Sequence, residues 1–115
     1  MSEPLQEIMN VDRVVHEPSR LVILTVLDAC KSASFKYLLA ASGLSTTNLS
    51  MQISRLEEHG LVAVDKSFVG KRPRTDVRLT PEGKTAIHNY WRRFETARRD
   101  VRKWSLLRRI IDSDR

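Results

Sequence analysis

A chain of 115 residues has room for one domain with its own core, so neither a metal nor a disulfide is required for folding. The single cysteine, Cys30, excludes an internal disulfide framework, and the longest apolar run, Leu21 to Leu27, is too short for a membrane span; with no secretory pattern at Met1 to Asn10, a cytoplasmic protein is expected. The net charge of +6 is uneven: residues 1–60 carry 5 Lys/Arg against 7 Asp/Glu, residues 61–80 carry 5 against 2, and residues 81–115 carry 10 against 5. A basic excess confined to the second half suits a polyanionic partner, although an Arg-rich helix face is equally compatible with simple solvation.

The first ten residues form an N-terminal segment with few structural signals. Val11 to His16 reads as a short amphipathic helix on Val11, Val14 and Val15. Glu17-Pro18-Ser19 then marks a helix start, with Pro in the first turn and Glu17 or Ser19 as the capping acceptor. Leu21 to Leu27 is apolar almost all round, which periodicity alone assigns to neither helix nor strand. The start signal favours a helix ending near Cys30, whose thiol is expected to act as a small buried hydrophobe.

Ser34 can cap a second helix, Phe35 to Ala41, closed by Gly43, with Phe35, Leu38 and Leu39 turned inward. Ser45 can cap a third, Thr46 to His59, ended by Gly60. Two helices joined by about three residues that include Gly form a helix-turn-helix. Leu49, Ile53 and Leu56 define the buried face of the third helix. At about 100° per residue, Thr47, Ser50, Met51 and Ser54 face the other way, with Asn48 and Arg55 on a flank. That surface is small and hydrogen-bonding, where an ordinary solvated helix more often carries Glu and Lys.

From Leu61 the period changes to two. Val62 and Val64, then Val77 and Leu79, mark two antiparallel strands, with Ser67 to Arg74 as a basic loop between them. Lys71, Arg72 and Arg74 at its tip suit phosphate or minor-groove contact, or simple protection of a sheet edge.

Thr80-Pro81-Glu82 starts a last helix, with a capping hydroxyl, Pro at the first position and an acid at the positive end of the dipole. Gly83 in its first turn costs about 1 kcal/mol relative to Ala, which points to close packing against the body. Nothing stops this helix before about Ile111. Its length of roughly 46 Å exceeds the diameter of roughly 34 Å expected for a domain of this size, so it must overhang. Ile87, Phe94 and Val101 recur every seven residues, as do Tyr90, Ala97, Trp104 and Ile111. This a/d seam, widened by Trp91 and Leu107, predicts a homodimer, unless the stripe packs on the N-terminal part of its own chain.

The order of these elements, with His16-Glu17-Pro18-Ser19-Arg20, Phe35-Lys36-Tyr37-Leu38-Leu39, Leu49-Ser50, Leu56-Glu57-Glu58-His59-Gly60-Leu61-Val62, Arg72-Pro73-Arg74-Thr75 and Leu79-Thr80-Pro81-Glu82-Gly83, resembles the winged-helix transcriptional regulators of the MarR and ArsR kind over about residues 11–88. The resemblance implies a mainly α fold with a small β-hairpin (α+β). A winged helix-turn-helix DNA-binding domain would occupy residues 11–85, and a C-terminal dimerisation helix residues 86–112. It further implies a double-stranded DNA-binding regulator, usually a repressor, acting as a homodimer on a palindromic operator.

In that setting Thr46, Thr47, Asn48, Ser50, Met51, Ser54 and Arg55 form the recognition helix and Lys71, Arg72 and Arg74 the wing. Thr47, Ser50, Met51 and Ser54 approach base edges, Asn48 and Arg55 hold phosphates, and Arg72 and Arg74 suit a narrow minor groove. Ile87, Tyr90, Phe94, Ala97, Val101, Trp104 and Ile111 line the dimer interface. No cofactor or metal is expected, because Cys30 stands alone and His16, His59 and His88 lack ligand spacing. A small-molecule effector of unknown identity would sit near Tyr90, Trp91 and Phe94, which core packing explains equally well. No nucleophile, Gly-rich phosphate loop or paired carboxylate suggests an enzyme. Two alternatives remain: a winged-helix interaction module without DNA binding, and an RNA or polyanion binder acting through the Arg-rich last helix.

Overall fold

The computed structural model describes residues 12–113. Helix α1 spans Pro18–Cys30. Glu17 is its N-cap, extended at φ −145° and ψ 128°, and its carboxylate accepts from the Arg20 N–H at 2.9 Å. The segment before it is a turn and not the expected helix: Arg13–Val15 form a single turn, with the Asp12 carboxylate accepting from the Val14 N–H at 2.8 Å. A residue preceding proline is pushed out of the α region, so Glu17 breaks any helix running into α1. Val11, the remaining member of that expected helix, and the segment 1–10 lie outside the described residues.

Ile23, Leu24 and Leu27 of α1 are fully buried. The last turn overshoots this layer, and the chain reverses at Lys31 with φ 67°. Cys30 is consequently exposed and is not the buried hydrophobe expected from its apolar neighbours. Ser32–Ser34 then forms a short strand, β1, which the sequence pattern does not reveal. Helix α2 covers Phe35–Ser42, capped by Ser34 and closed by Gly43 in the left-handed region. Helix α3 covers Thr46–Glu58; the Ser45 hydroxyl accepts from the Asn48 N–H at 3.1 Å, and His59 is the C-cap.

Strands β2, Val62–Val69, and β3, Arg72–Leu79, pair antiparallel from Val62 opposite Leu79 to Val69 opposite Arg72. The expected eight-residue loop between them is therefore mostly strand, and only Gly70 and Lys71 remain as the turn. Positive φ falls on Gly70 (65°) and on neither flanking residue, as in a two-residue type II′ turn. β1 pairs with the other edge of β3, giving the order β1-β3-β2.

Helix α4 runs unbroken over Pro81–Ser113, 33 residues, or about 50 Å. The molecule accordingly measures 75 × 25 × 20 Å. Thr80 fixes its start: the hydroxyl donates to the Gly60 carbonyl at 2.6 Å and accepts from the Gly83 N–H at 2.9 Å. The expectation of close packing at Gly83 is met, since a Cβ there would overlap the Leu61 carbonyl oxygen.

The core joins α1, α2 and α3 to the sheet and to the first turns of α4 through Leu38, Leu49, Leu56, Val62, Val77 and Ile87. Burying each such aliphatic side chain contributes about 1.5–3 kcal/mol. Arg20 ties α3 to the entry turn, donating to the Val14 carbonyl at 2.6 Å and to Gln52 at 2.9 Å.

Candidate nucleic-acid interface

Helix α3 is oriented by what it buries. Leu49, Gln52, Ile53 and Leu56 face the core, and Thr46, Thr47, Ser50, Met51, Ser54 and Arg55 are exposed. Gln52 is buried but polar, and its oxygen takes a hydrogen from Arg20 while its amide donates to Asn48 at 3.1 Å. Asn48 thus has its oxygen engaged and its NH2 turned into a donor of fixed direction, which suits an anion. At the helix start the Ser45 side chain satisfies only the Asn48 N–H. The N–H groups of Thr46 and Thr47 precede the first intrahelical bond and can serve a phosphate oxygen.

The hairpin alternates strictly, so its two faces differ. Val62, Val64, Lys66 and Phe68, opposite Leu79, Val77, Thr75 and Pro73, share the face turned to the core. Beyond the core that face borders α3: a cleft of about 280 Å³ is lined by Ser50, Ser54 and Glu57 of α3 and by Lys66 and Thr75 of the wing. The structure therefore brings Ser50 and Ser54 together with Lys66, a residue the sequence reading passed over. Its place on the inner face follows from Val62 and Val64 at the same period, a signal that was available.

Arg72, Arg74 and Arg78 point from the opposite face, together with Asp65 and Asp76. There two of the three arginines are paired. Arg74 Nε donates to both Asp76 oxygens, at 3.2 and 3.0 Å, and Arg78 pairs with Asp65 at 3.3 Å. The hydrogen bond to Asp76, followed by its charge, raises the Arg74 pKa above the ordinary guanidinium value. Such exposed pairs stabilise the fold little, but they withdraw Arg74 from a phosphate. Lys66, Lys71 and Arg72 have no carboxylate partner among the described residues. The uncompensated charge of the wing thus lies at its tip and on its inner face.

The residues expected at the dimer seam divide along α4. Ile87 and Tyr90 are 0% and 4% exposed and belong to the protomer's own core, so neither is available to a partner. Tyr90 hydrogen-bonds the His16 ring at 2.9 Å, and burial raises its pKa. Phe94 stacks on His16 at 5.8 Å and meets Tyr90 at 4.8 Å. These aromatics fill their own space, and the adjoining cleft by Asp12, Asn89 and Arg93 is only about 100 Å³. Ala97 is buried as well, whereas Val101, Trp104 and Ile111 are 42%, 45% and 59% exposed. Leu106, Leu107 and Ile110 are also exposed. No described helix is long and apolar enough to cross a membrane.

This architecture recurs in known proteins. Residues 19–97 match the family model described as a winged helix DNA-binding domain. The uncharacterized protein MJ0432 of Methanocaldococcus jannaschii is 31% identical over 78 residues, 68% of this chain and 85% of that protein. The transcriptional regulator homologue of Pyrococcus horikoshii OT3 superposes with a TM-score of 0.77 at 28% identity, covering 85% of this chain and 96% of that one. The YusO protein of Bacillus subtilis superposes with a TM-score of 0.73 at 16% identity, covering 97% and 79%. The chain belongs to the winged helix DNA-binding domain family and has the fold of MarR-like transcriptional regulators.

Proposed function

We propose that this protein is a sequence-specific double-stranded DNA-binding repressor that acts as a homodimer on a palindromic operator. The observation that supports the reading is the shared cleft, which Ser50, Ser54 and Glu57 of α3 line together with Lys66 and Thr75 of the wing. Helix α3 would enter the major groove. Thr47, Ser50 and Ser54 hydroxyls read bases tolerantly, and Met51 suits a thymine methyl. Thr46, Asn48 and Arg55 would hold phosphates and fix register. Lys66, Lys71 and Arg72 would continue the contact along the wing.

The seam of the proposed dimer begins beyond the body. Phe94 lies at its near end, and Val101, Trp104 and Ile111 form its exposed part, so that within residues 86–112 the outer half would be the dimerisation region, Ile87, Tyr90 and Ala97 being buried in the protomer. Twofold symmetry then predicts two half-sites about one helical turn apart, roughly 34 Å centre to centre.

Selection of bound fragments from genomic DNA at physiological salt tests this reading. A symmetric motif is expected. Recovery of fragments without a shared sequence, or retention of RNA in preference to duplex, would overturn it.

A further inference from the structure

Phe68 at the wing tip is 72% exposed, the most exposed of the large hydrophobic side chains described. Most of its surface is left uncovered by its own protomer, so core packing does not account for it. Its position is informative. Phe68 lies on the inner face of the hairpin, two residues beyond Lys66, and directly opposite Pro73. Pro73 itself lines the continuation of the inner cleft beside Lys36 and Thr75. The result is an apolar knob backed by a rigid ring. Lys66 flanks it on the same face and Lys71 lies in the turn just beyond it, neither with a carboxylate partner among the described residues.

Cations around an apolar knob fit a partner with anionic rims and an apolar floor. The minor groove of duplex DNA has that form, with phosphates outside and deoxyribose and base edges within. Apolar side chains can enter it and partly unstack a base step.

We propose that Phe68, supported by Pro73, is an apolar wedge that enters the minor groove beside the α3 contact and loosens one base step. The inference rests on the DNA-binding reading above and adds a source of specificity that needs no hydrogen bond. Pyrimidine–purine steps unstack most readily, so the wedge selects TA or CA/TG at the position it meets.

The test uses the full chain and its selected duplex, with 2-aminopurine placed in turn at positions flanking the α3 contact. Wild type should raise the fluorescence at one flanking step. Phe68→Ala should abolish that rise and weaken binding on the order of tenfold, with the salt slope unchanged because no phosphate contact is lost. Val69→Ala, on the opposite face, should behave as wild type. Absence of binding by wild type refutes the DNA-binding reading itself. Wild-type binding with an unaltered Phe68→Ala variant refutes the wedge alone. A reduced salt slope in Phe68→Ala, or a change in its sedimentation in place of its DNA affinity, also refutes the wedge.

Discussion

Replacing Gly83 by Ala separates local preference from packing in opposite directions. Position 83 lies in the first turn of a helix, where Ala is intrinsically favoured by about 1 kcal/mol. Helix propensity alone therefore predicts a more stable protein. The structure predicts the reverse. A Cβ there would overlap the Leu61 carbonyl oxygen and come within 2.8 Å of Leu79 Cδ1. The carbonyl cannot swing aside freely, because it accepts from the Thr80 N–H at 3.1 Å. Overpacking of this kind costs about 1–3 kcal/mol, and more when backbone must shift. Taking the upper part of that range and subtracting the propensity gain leaves a net loss of about 2 kcal/mol. Thermal unfolding at fixed protein concentration should show a melting temperature lower by roughly 4 °C or more for each kcal/mol. The same turn aims α4, so the variant should also weaken operator binding. An unchanged or higher melting temperature would refute the packing argument.

The remaining predictions concern the wing and the seam. Arg72→Ala should lower the slope of log affinity against log salt by up to about one unit, whereas Arg74→Ala should lower it by less, because Asp76 already holds that guanidinium. Asp76→Asn should strengthen DNA binding by freeing Arg74, measured as a higher affinity at fixed salt. Trp104→Asp should place a charge in the apolar seam and give monomers in sedimentation, with a large loss of operator affinity. A Trp104→Asp variant that stays dimeric would move the interface elsewhere.

Much of the fold was legible because punctuation residues were unambiguous. Gly43 and Gly60 end α2 and α3, Ser34 and Ser45 cap them, and Thr80-Pro81 starts α4. Gly83 even announced its packing through an unfavourable local choice. The strand Ser32–Ser34 was not legible: three small residues are too few to show a period, and its pairing with β3 is wholly a tertiary fact. Composition read the hairpin tip as loop, since Gly70 and Pro73 lie four residues or fewer from each other, yet both strands continue to a two-residue turn.

The exposed, hydroxyl-bearing face of α3 was readable from helical spacing. The wing was read by charge alone, which singled out Arg74 and passed over Lys66. The period of two within β3 puts Asp76 on the same face as Arg74, which charge counting ignores, and only the packing of the hairpin on α3 shows that Ser50 and Ser54 share a cleft with Lys66. Likewise the heptads run without a break, but the body takes Ile87 and Tyr90 for its own core and leaves Val101, Trp104 and Ile111 outside.

Backbone amide shifts of the labelled protein titrated with its selected duplex test most directly whether α3 and the wing meet one and the same stretch of DNA. Perturbations should appear together over residues 46–55 and 66–72, at a single stoichiometry of one duplex per dimer. Shifts confined to the arginines between Arg98 and Arg109, with α3 or the wing silent, would contradict the account.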